Sequence, residues 1–188
     1  PKSDLTETII EAINKTAAAG IRIVGPQSLG LMTPSEGLNL SYLPALPPAG
    51  EVGLVSQSPG LSCTIIDYVT NAQCGFSHVI DPGFEQVLTV ADYVDMLAFD
   101  RKTRCIVLYL ESFQQPRKLL SAIRLAAANK PVILLKGGQT PGSADIVINN
   151  SGAREDEDGV MERALVRAGA LLVTSLKELN YAVQAFAM

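Results

Sequence analysis

Short apolar runs alternate with longer amphipathic segments from residue 51 to residue 187, and this alternation constrains the fold most strongly. The runs predict strands at 51–55, 76–80, 105–110, 131–136 and 171–174. The segments between and after them predict helices at 60–71, 90–99, 116–129, 157–168 and 175–187. Apolar strands that alternate with amphipathic helices are typical of a parallel sheet covered on both faces. We therefore expect an α/β fold with a doubly wound, five-stranded sheet in the flavodoxin-like order 2-1-3-4-5.

The first 50 residues follow a different pattern. A helical pattern spans 5–19 and ends at Gly20, and the run IRIVG predicts a short strand at 21–25. Residues 33–50 are rich in Pro and Gly and have no clear period, which indicates a linker.

Composition excludes several function classes. Hydrophobic residues make up 47% of the chain, charged residues 18%, and the net charge is −4. The basic cluster at 101–104 is typical of a solvated turn, so we expect no nucleic-acid partner. No apolar run approaches the roughly 20 residues of a membrane span, and no secretory signal is visible. The chain starts at Pro1 and stops within a helical pattern, so we expect a piece of a longer cytoplasmic protein.

The predicted strand order brings three loops together. In such sheets, ligands bind beyond the carboxyl ends of the strands, at the point where the strand order reverses. That crevice lies between the first and third predicted strands of the sheet, which are followed by loops 56–60 and 111–116. The long loop 137–154 follows the fourth strand and is close enough to reach the same edge.

Two of these loops carry candidate functional groups. Ser58 and Pro59 predict a helix start whose N–H groups and dipole favour an anion, although an ordinary capped helix explains the same residues. Glu111 could act as a base or orient a neighbour, and exposed glutamates are also common at strand ends. His78 alternates with Phe76 and Ile80, which favours packing over catalysis.

Other motifs predict no chemistry. The segment 136–142, KGGQTPG, lacks the order of a Walker phosphate loop. Cys63, Cys74 and Cys105 have no metal-ligand spacing, so we expect reduced, partly buried thiols and no metal site.

Several phrases of the sequence together resemble the NDP-forming acyl-CoA synthetases, relatives of the succinyl-CoA synthetase α subunit. In chain order they are IRIVGPQSLGLMTPSEGLNLSYLP, VSQSPGLSCTIIDY, GFSHVIDPG, LYLESF, KPVILLKGGQT and NNSGA. The resemblance implies that residues 1–45 are the C-terminal part of a Rossmann-like CoA-binding domain. Residues 46–50 would end the Pro-rich linker, and residues 51–188 would form the flavodoxin-like ligase domain.

The resemblance also assigns site residues. It implies that two groups of residues bind CoA or acetyl-CoA, Gly25, Pro26 and Ser28 in the first domain and Ser56, Gln57 and Ser58 at the helix start. The second group matches the family's Ser-Gln-Ser, which cradles its phosphohistidine. The family's Gly-Pro-Asn is here Gly-Pro-Gln, which ends at Gln27. Glu111 matches the glutamate that hydrogen-bonds the family's phosphohistidine.

Asn150 occupies the position of that histidine in the loop after the fourth strand. An asparagine amide is not nucleophilic, so no phospho-enzyme can form at this residue. The acidic run 155–158 follows the loop and would oppose a phosphoryl group there, while it also complements a helix dipole. The loss of the histidine resembles a degenerate branch found in bacterial protein lysine acetyltransferases that carry a fused GNAT domain.

Three functions follow as hypotheses. The first is a regulatory module that binds acetyl-CoA or CoA in such an acetyltransferase, with GNAT and ATP-grasp domains elsewhere in the chain and possible homo-oligomerisation. The second is a subunit of an active ADP-forming acetyl-CoA synthetase that uses another nucleophile, with ATP and ADP handled by another domain. The third is a non-catalytic interaction domain.

Overall fold

The computed structural model describes residues 4–137 and 155–187, and within them one sheet forms the centre of the molecule. Its strands are β1 Gly30–Thr33, β2 Leu38–Ser41, β3 Ala49–Ser56, β4 Phe76–Ile80, β5 Cys105–Leu110, β6 Val132–Lys136 and β7 Leu171–Val173. The α-helices are α1 Asp4–Ala18, α2 Pro59–Asn71, α3 Val90–Phe99, α4 Pro116–Ala127, α5 Glu155–Arg167 and α6 Leu176–Ala187. The strands lie in the order β2-β1-β4-β3-β5-β6-β7.

Five of these strands form the predicted parallel sheet. β3 pairs in parallel with β4 on one side and β5 on the other, and β6 and β7 continue the sheet in parallel. Numbered from β3, their order is 2-1-3-4-5, so the predicted flavodoxin-like topology is confirmed. β5 is buried at every position, because helices cover both faces of the sheet.

Alternate side chains of β5 belong to two separate cores. Ile106, Leu108 and Leu110 pack with α3, α4 and α5. Cys105, Val107 and Tyr109 point to the opposite face and pack with α2 and α6. This period of two is the expected geometry of a strand between two helical layers.

The linker predicted at 33–50 is wrong, because this segment contains structure that belongs to the sheet. β1 and β2 form an antiparallel hairpin joined by a short 3-10 helix, Pro34–Glu36. β1 also pairs antiparallel with β4, and β3 begins at Ala49. The Pro and Gly residues punctuate the turn, where Gly37 adopts a positive φ of 68°, and strands of four residues are too short to show a period.

The strand predicted at 21–25 is also wrong. The segment is irregular and ends in a turn where Gly25 has a φ of 96° and Gln27 a φ of 55°. Ile21 is 55% exposed and Val24 38% exposed, so the apolar side chains that suggested a strand pack against no neighbouring strand. None of the helices in the described part of the chain is long and apolar enough to cross a membrane.

The hairpin gives a direct stability test. Met32 on β1 is fully buried, whereas Leu40 on β2 is 65% exposed. We expect Met32→Ala to lower the free energy of unfolding by about 2–5 kcal/mol, because it leaves a cavity in the core. The matched variant Leu40→Ala should change it by less than about 0.5 kcal/mol. Urea unfolding measures both, and equal small effects would show that residues 30–41 are not part of the folded core.

Candidate functional site

A cavity of about 560 Å³ opens at the carboxyl ends of β3, β4 and β5. This is the predicted switch point, since β3 and β5 are neighbours whose following helices α2 and α4 cover opposite faces of the sheet. We call it the crevice. Its lining comes from five segments and consists of Gln27, Ser28, Tyr42, Gln57, Ser58, Pro59, Gly83, Phe84, Glu85, Glu111, Ser112 and Gln114.

The side chain of Gln57 joins the loops around the crevice. Its Oε1 accepts hydrogen bonds from the backbone N–H groups of Glu111 at 2.6 Å and Ser112 at 3.0 Å. Its Nε2 donates to the carboxylate of Glu85 and to the carbonyl oxygen of Ser112, the latter at 3.2 Å. Because an amide has both donors and an acceptor, one residue links the loops after β3, β4 and β5.

Glu85 connects this network to α3. Its Oε2 accepts from the backbone N–H of Val90, the first residue of α3, at 2.8 Å. Burial raises the pKa of the Glu85 carboxyl, and the hydrogen bonds from Val90 and Gln57 only partly oppose this effect. Glu85 itself adopts a positive φ of 53°, which is uncommon for a residue other than glycine.

The serines at the start of α2 are held by the helix itself. The Ser58 side chain accepts from the backbone N–H of Leu61 at 3.4 Å, and Pro59 lies in the first turn, so the predicted cap is confirmed. The Ser56 hydroxyl is buried, donates to the Ser58 carbonyl at 3.1 Å and accepts from the Ser58 N–H at 3.3 Å. These bonds fix the loop and leave the helix N-terminus directed at the crevice.

Glu111 begins the loop after β5 and faces the crevice. Its Oε1 accepts from the Tyr109 hydroxyl at 3.4 Å. Burial raises the pKa of the Glu111 carboxyl, while Tyr109 and Lys136 pull it down and Asp81 pushes it further up. A half-buried carboxyl with a raised pKa in a crevice is a candidate for proton exchange with a ligand.

The turn before β1 packs on the loop after β4. The buried Asp81 carboxylate accepts from the backbone N–H groups of Leu29 and Gly83, at 2.8 and 2.9 Å. The Ser28 hydroxyl donates to the Asp81 carbonyl, and Phe84 N–H donates to the Pro26 carbonyl at 2.9 Å. The predicted group of Gly25, Pro26 and Ser28 is therefore attached to the same edge of the sheet as the predicted group at the start of α2.

The predicted site residues divide into three groups. Ser28, Gln57, Ser58 and Glu111 line the crevice. Gly25, Pro26 and Ser56 are outside its lining and support the loops that form it. Asn150 lies outside the described residues.

Sequence reasoning missed Asp81 and Glu85. Both lie in the loop after the apolar strand β4. This loop was not among the loops predicted to form the crevice, although it leaves the sheet at the same edge as the loops after β3 and β5. The segment DPGFE directly follows an apolar run, and its two acidic residues could have indicated a site there. Tyr42 follows β2 and was hidden within the segment interpreted as a linker.

The described lining of the crevice is acidic. It includes the carboxyls of Glu85 and Glu111 and contains no Lys, Arg or His. Among these residues, an anion would meet only N–H groups, hydroxyls and the N-terminus of α2. The arrangement therefore suits a ligand that is neutral where it contacts Glu111.

Comparison with known proteins identifies the fold family. The family described as the succinyl-CoA ligase-like flavodoxin domain matches residues 49–186. The chain belongs to this family. The family-level resemblance and the predicted flavodoxin-like domain are confirmed, whereas the acetyltransferase branch stays a prediction.

Relatives of this succinyl-CoA ligase-like domain are much longer proteins. An ADP-forming acetate–CoA ligase from Methanocaldococcus jannaschii is 32% identical over 159 residues, which cover 85% of this chain and 22% of that protein. A 4-hydroxybutyrate–CoA ligase from Nitrosopumilus maritimus is 29% identical, with 85% and 23% covered.

One solved structure extends the comparison of the fold. Acetyl-coenzyme A synthetase 1 from Ca. Korarchaeum cryptofilum, in complex with phosphate and ADP, has a TM-score of 0.83 and 24% identity. The matched region covers 93% of this chain and 38% of the synthetase chain. At this identity the likeness establishes the fold alone.

His78 and the cysteines lie away from the crevice. His78 Nδ1 is 3.5 Å from Asp100 Oδ2, and Asp100 follows α3 at the opposite, amino-terminal edge of β5. The three cysteines are free, with Cys74 and Cys105 buried. Burial raises the pKa of the Cys105 thiol to about 12, which disfavours the reactive thiolate.

His78 predicts a pH dependence of stability. Burial lowers its pKa, and this effect outweighs the attraction of Asp100 and Glu36. A lowered pKa means that its contribution is complete above about pH 6.5 and is lost as the pH falls through the folded-state pKa. We expect the unfolding free energy of His78→Gln to fall less between pH 7.5 and pH 5 than that of the unchanged protein. Urea unfolding across this range measures the difference, and parallel curves would contradict it.

Gly137 predicts a coupling with Tyr109. A Cβ atom on Gly137 would lie 2.5 Å from the Tyr109 hydroxyl and 3.3 Å from Glu111 Cγ. We expect Gly137→Ala to cost about 1–3 kcal/mol of unfolding free energy, because the buried ring has little room to move. In a Tyr109→Phe background the cost should be smaller, since the nearest clashing atom is gone. A double-mutant cycle measures this coupling, and additive effects would contradict it.

Proposed function

We propose that this chain is the flavodoxin-like part of an ADP-forming acid–CoA ligase, which joins a carboxylic acid to CoA. The observation that carries the proposal is the family match over residues 49–186 together with a half-buried Glu111 at the crevice. The relatives are acid–CoA ligases by name, which supports this reading over the acetyltransferase.

The crevice fits one end of a CoA thioester. Its polar lining offers hydroxyl and amide groups, and its two carboxyls oppose a phosphate. We therefore place the neutral thioester and pantetheine end beside Glu111 and Ser58. The phosphate groups of CoA would bind to parts of the protein beyond the described lining.

Glu111 is the proposed acid–base residue. Its carboxyl is oriented by Tyr109, and its raised pKa lets it exchange a proton with a group in the crevice. Ser58 and the N-terminus of α2 would stabilise negative charge that develops on an acyl oxygen. Gln57 would hold these groups at fixed separations by bonding the loops on either side.

Asn150 requires a ligase of this kind to use another nucleophile, because an amide does not form a phospho-enzyme. His78 is a poor substitute, since it is the middle residue of β4 and its side chain lies beside Asp100 rather than in the crevice. In this proposal ATP and ADP bind to an ATP-grasp domain elsewhere in the protein, and the protein is a cytoplasmic homo-oligomer.

Asn150 also favours a second candidate. A protein that has lost the phosphoryl-carrying residue could retain the crevice to bind acetyl-CoA as a regulatory signal. In that case the chain would be the regulatory module of a GNAT-fused lysine acetyltransferase, and acetyl transfer would occur in the GNAT domain.

Activity of the full-length protein tests the first proposal. We expect acetyl-CoA, ADP and inorganic phosphate to form from acetate, CoA and ATP, and we expect Glu111→Gln to reduce the rate by about 100-fold or more, because it removes the proton-exchanging group. The matched control is Glu51→Gln, since Glu51 is an exposed carboxylate that pairs with Arg104 on the surface. The Glu51→Gln variant should form acetyl-CoA at the same rate as the unchanged protein.

Other outcomes separate the alternatives. No ADP formation, combined with heat of binding for acetyl-CoA in isothermal titration, would reject the ligase and support the regulatory module. If the protein shows neither ligase activity nor binding of acetyl-CoA, the result would support the interaction domain. Labelled ATP that yields an acid-labile phosphohistidine would contradict the assignment of Asn150 as the lost position.

A further inference from the structure

Glu111 is held at each of its polar groups by a different strand end. Its backbone N–H donates to Gln57 Oε1 at 2.6 Å, from the loop after β3. Its carboxylate accepts from the Tyr109 hydroxyl on β5. Its backbone carbonyl accepts from Lys136 Nζ at 3.1 Å, at the end of β6.

Lys136 is an unusual residue for its place in the fold. It is 3% exposed and ends a strand whose other members are Val, Ile and Leu. A lysine is almost never buried unless partners satisfy it, because removing its charge from water is costly. Here Nζ donates to the carbonyl of Gly137 at 2.8 Å as well as to Glu111, and it lies 5.4 Å from the centre of the Phe113 ring.

These contacts connect the ends of two neighbouring strands. Leu110 and Lys136 are paired residues in the β5–β6 ladder, so Lys136 lies level with the point where Glu111 leaves the sheet. Gly137 directly follows β6. One ammonium group therefore bonds the first residue after β5 and the first residue after β6.

We propose that Lys136 is a positioning residue, whose ammonium group holds the carbonyls of Glu111 and Gly137 and so sets how the Glu111 carboxylate faces the crevice. The inference rests on the proposed function only in treating Glu111 as the acid–base group. Lys136 also acts through its charge, since it pulls the pKa of Glu111 down. The other groups that act on Glu111 are Tyr109 on β5, which also pulls this pKa down, and Asp81 after β4, which pushes it up.

A purely structural anchor is the alternative, and the chain contains a matched control for it. Lys130 also donates to two backbone carbonyls, those of Leu97, at 2.7 Å, and Asp100. It precedes β6 and so lies at the opposite edge of the sheet from the crevice. A lysine that only anchors backbone should behave alike at both places.

The test is a titration of the Glu111 carboxyl by carbon-13 NMR, with Glu111→Gln used to assign its signal. We expect Lys136→Met to raise the pKa of Glu111 by about one unit, because an opposite charge and a fixed orientation are both lost. Lys136→Gln should also raise it, since glutamine keeps a donor but not the charge. Lys130→Met should leave the titration of Glu111 unchanged while it lowers stability.

An unchanged Glu111 titration in Lys136→Met and Lys136→Gln would overturn the proposal. So would failure of both variants to fold under conditions where Lys130→Met folds, because the role of Lys136 would then be structural. The titration needs no catalysis, so absence of ligase activity would reject the proposed function and leave this inference intact. Conversely, a ligase that depends on Glu111 with no effect of Lys136 on its titration would reject this inference alone.

Discussion

The parallel pairing of β3 with β5 is the contact on which the rest of the structure depends. Residues 52–56 pair with 105–109 in an unbroken register at the centre of the sheet. Since both strands run in the same direction, their following loops leave at one edge, and helices of opposite layers carry the chain away from it. The gap between those helices is the crevice, so the site is a consequence of topology before any side chain is considered.

Side-chain chemistry then fixes the width and polarity of that gap. Gln57 bonds the loops after β4 and β5, and Lys136 bonds the first residue after β5 and the first residue after β6. Glu111 takes part in both sets of hydrogen bonds. Buried hydrogen bonds of this kind are costly to leave unmade, so they hold the loops in one arrangement.

The electrostatics of the crevice limit what it can bind. Asp81 is buried and Glu85 and Glu111 are half-buried, and this burial raises the pKa of all three carboxyls. Asp81 and Glu85 serve mainly as acceptors for backbone N–H groups of neighbouring turns. Among the described residues, the Glu111 carboxylate accepts from the Tyr109 hydroxyl and from no backbone N–H group, which distinguishes it from the other two.

Much of the fold was predictable because its elements are long and apolar enough to show their period. β4, β5 and α3 have the predicted bounds, and Ser58 caps α2 as expected. The hairpin of β1 and β2 could not be predicted from its pattern, because each strand has four residues and is flanked by turn residues that also mark linkers. Ser58 and Glu111 were predicted from their places at a helix start and a strand end, whereas Glu85 was missed with the loop that carries it.

The sequence by itself determined the family, the order of strands and helices from β3 onward and the edge at which a crevice forms, because periodicity and chain direction are local properties. Only the tertiary structure decided which groups meet there. Gln57 lies 28 residues from Glu85, and Lys136 lies 25 residues from Glu111. Such partners are chosen by register and loop closure across the sheet, and neither is recorded in any short stretch of the chain.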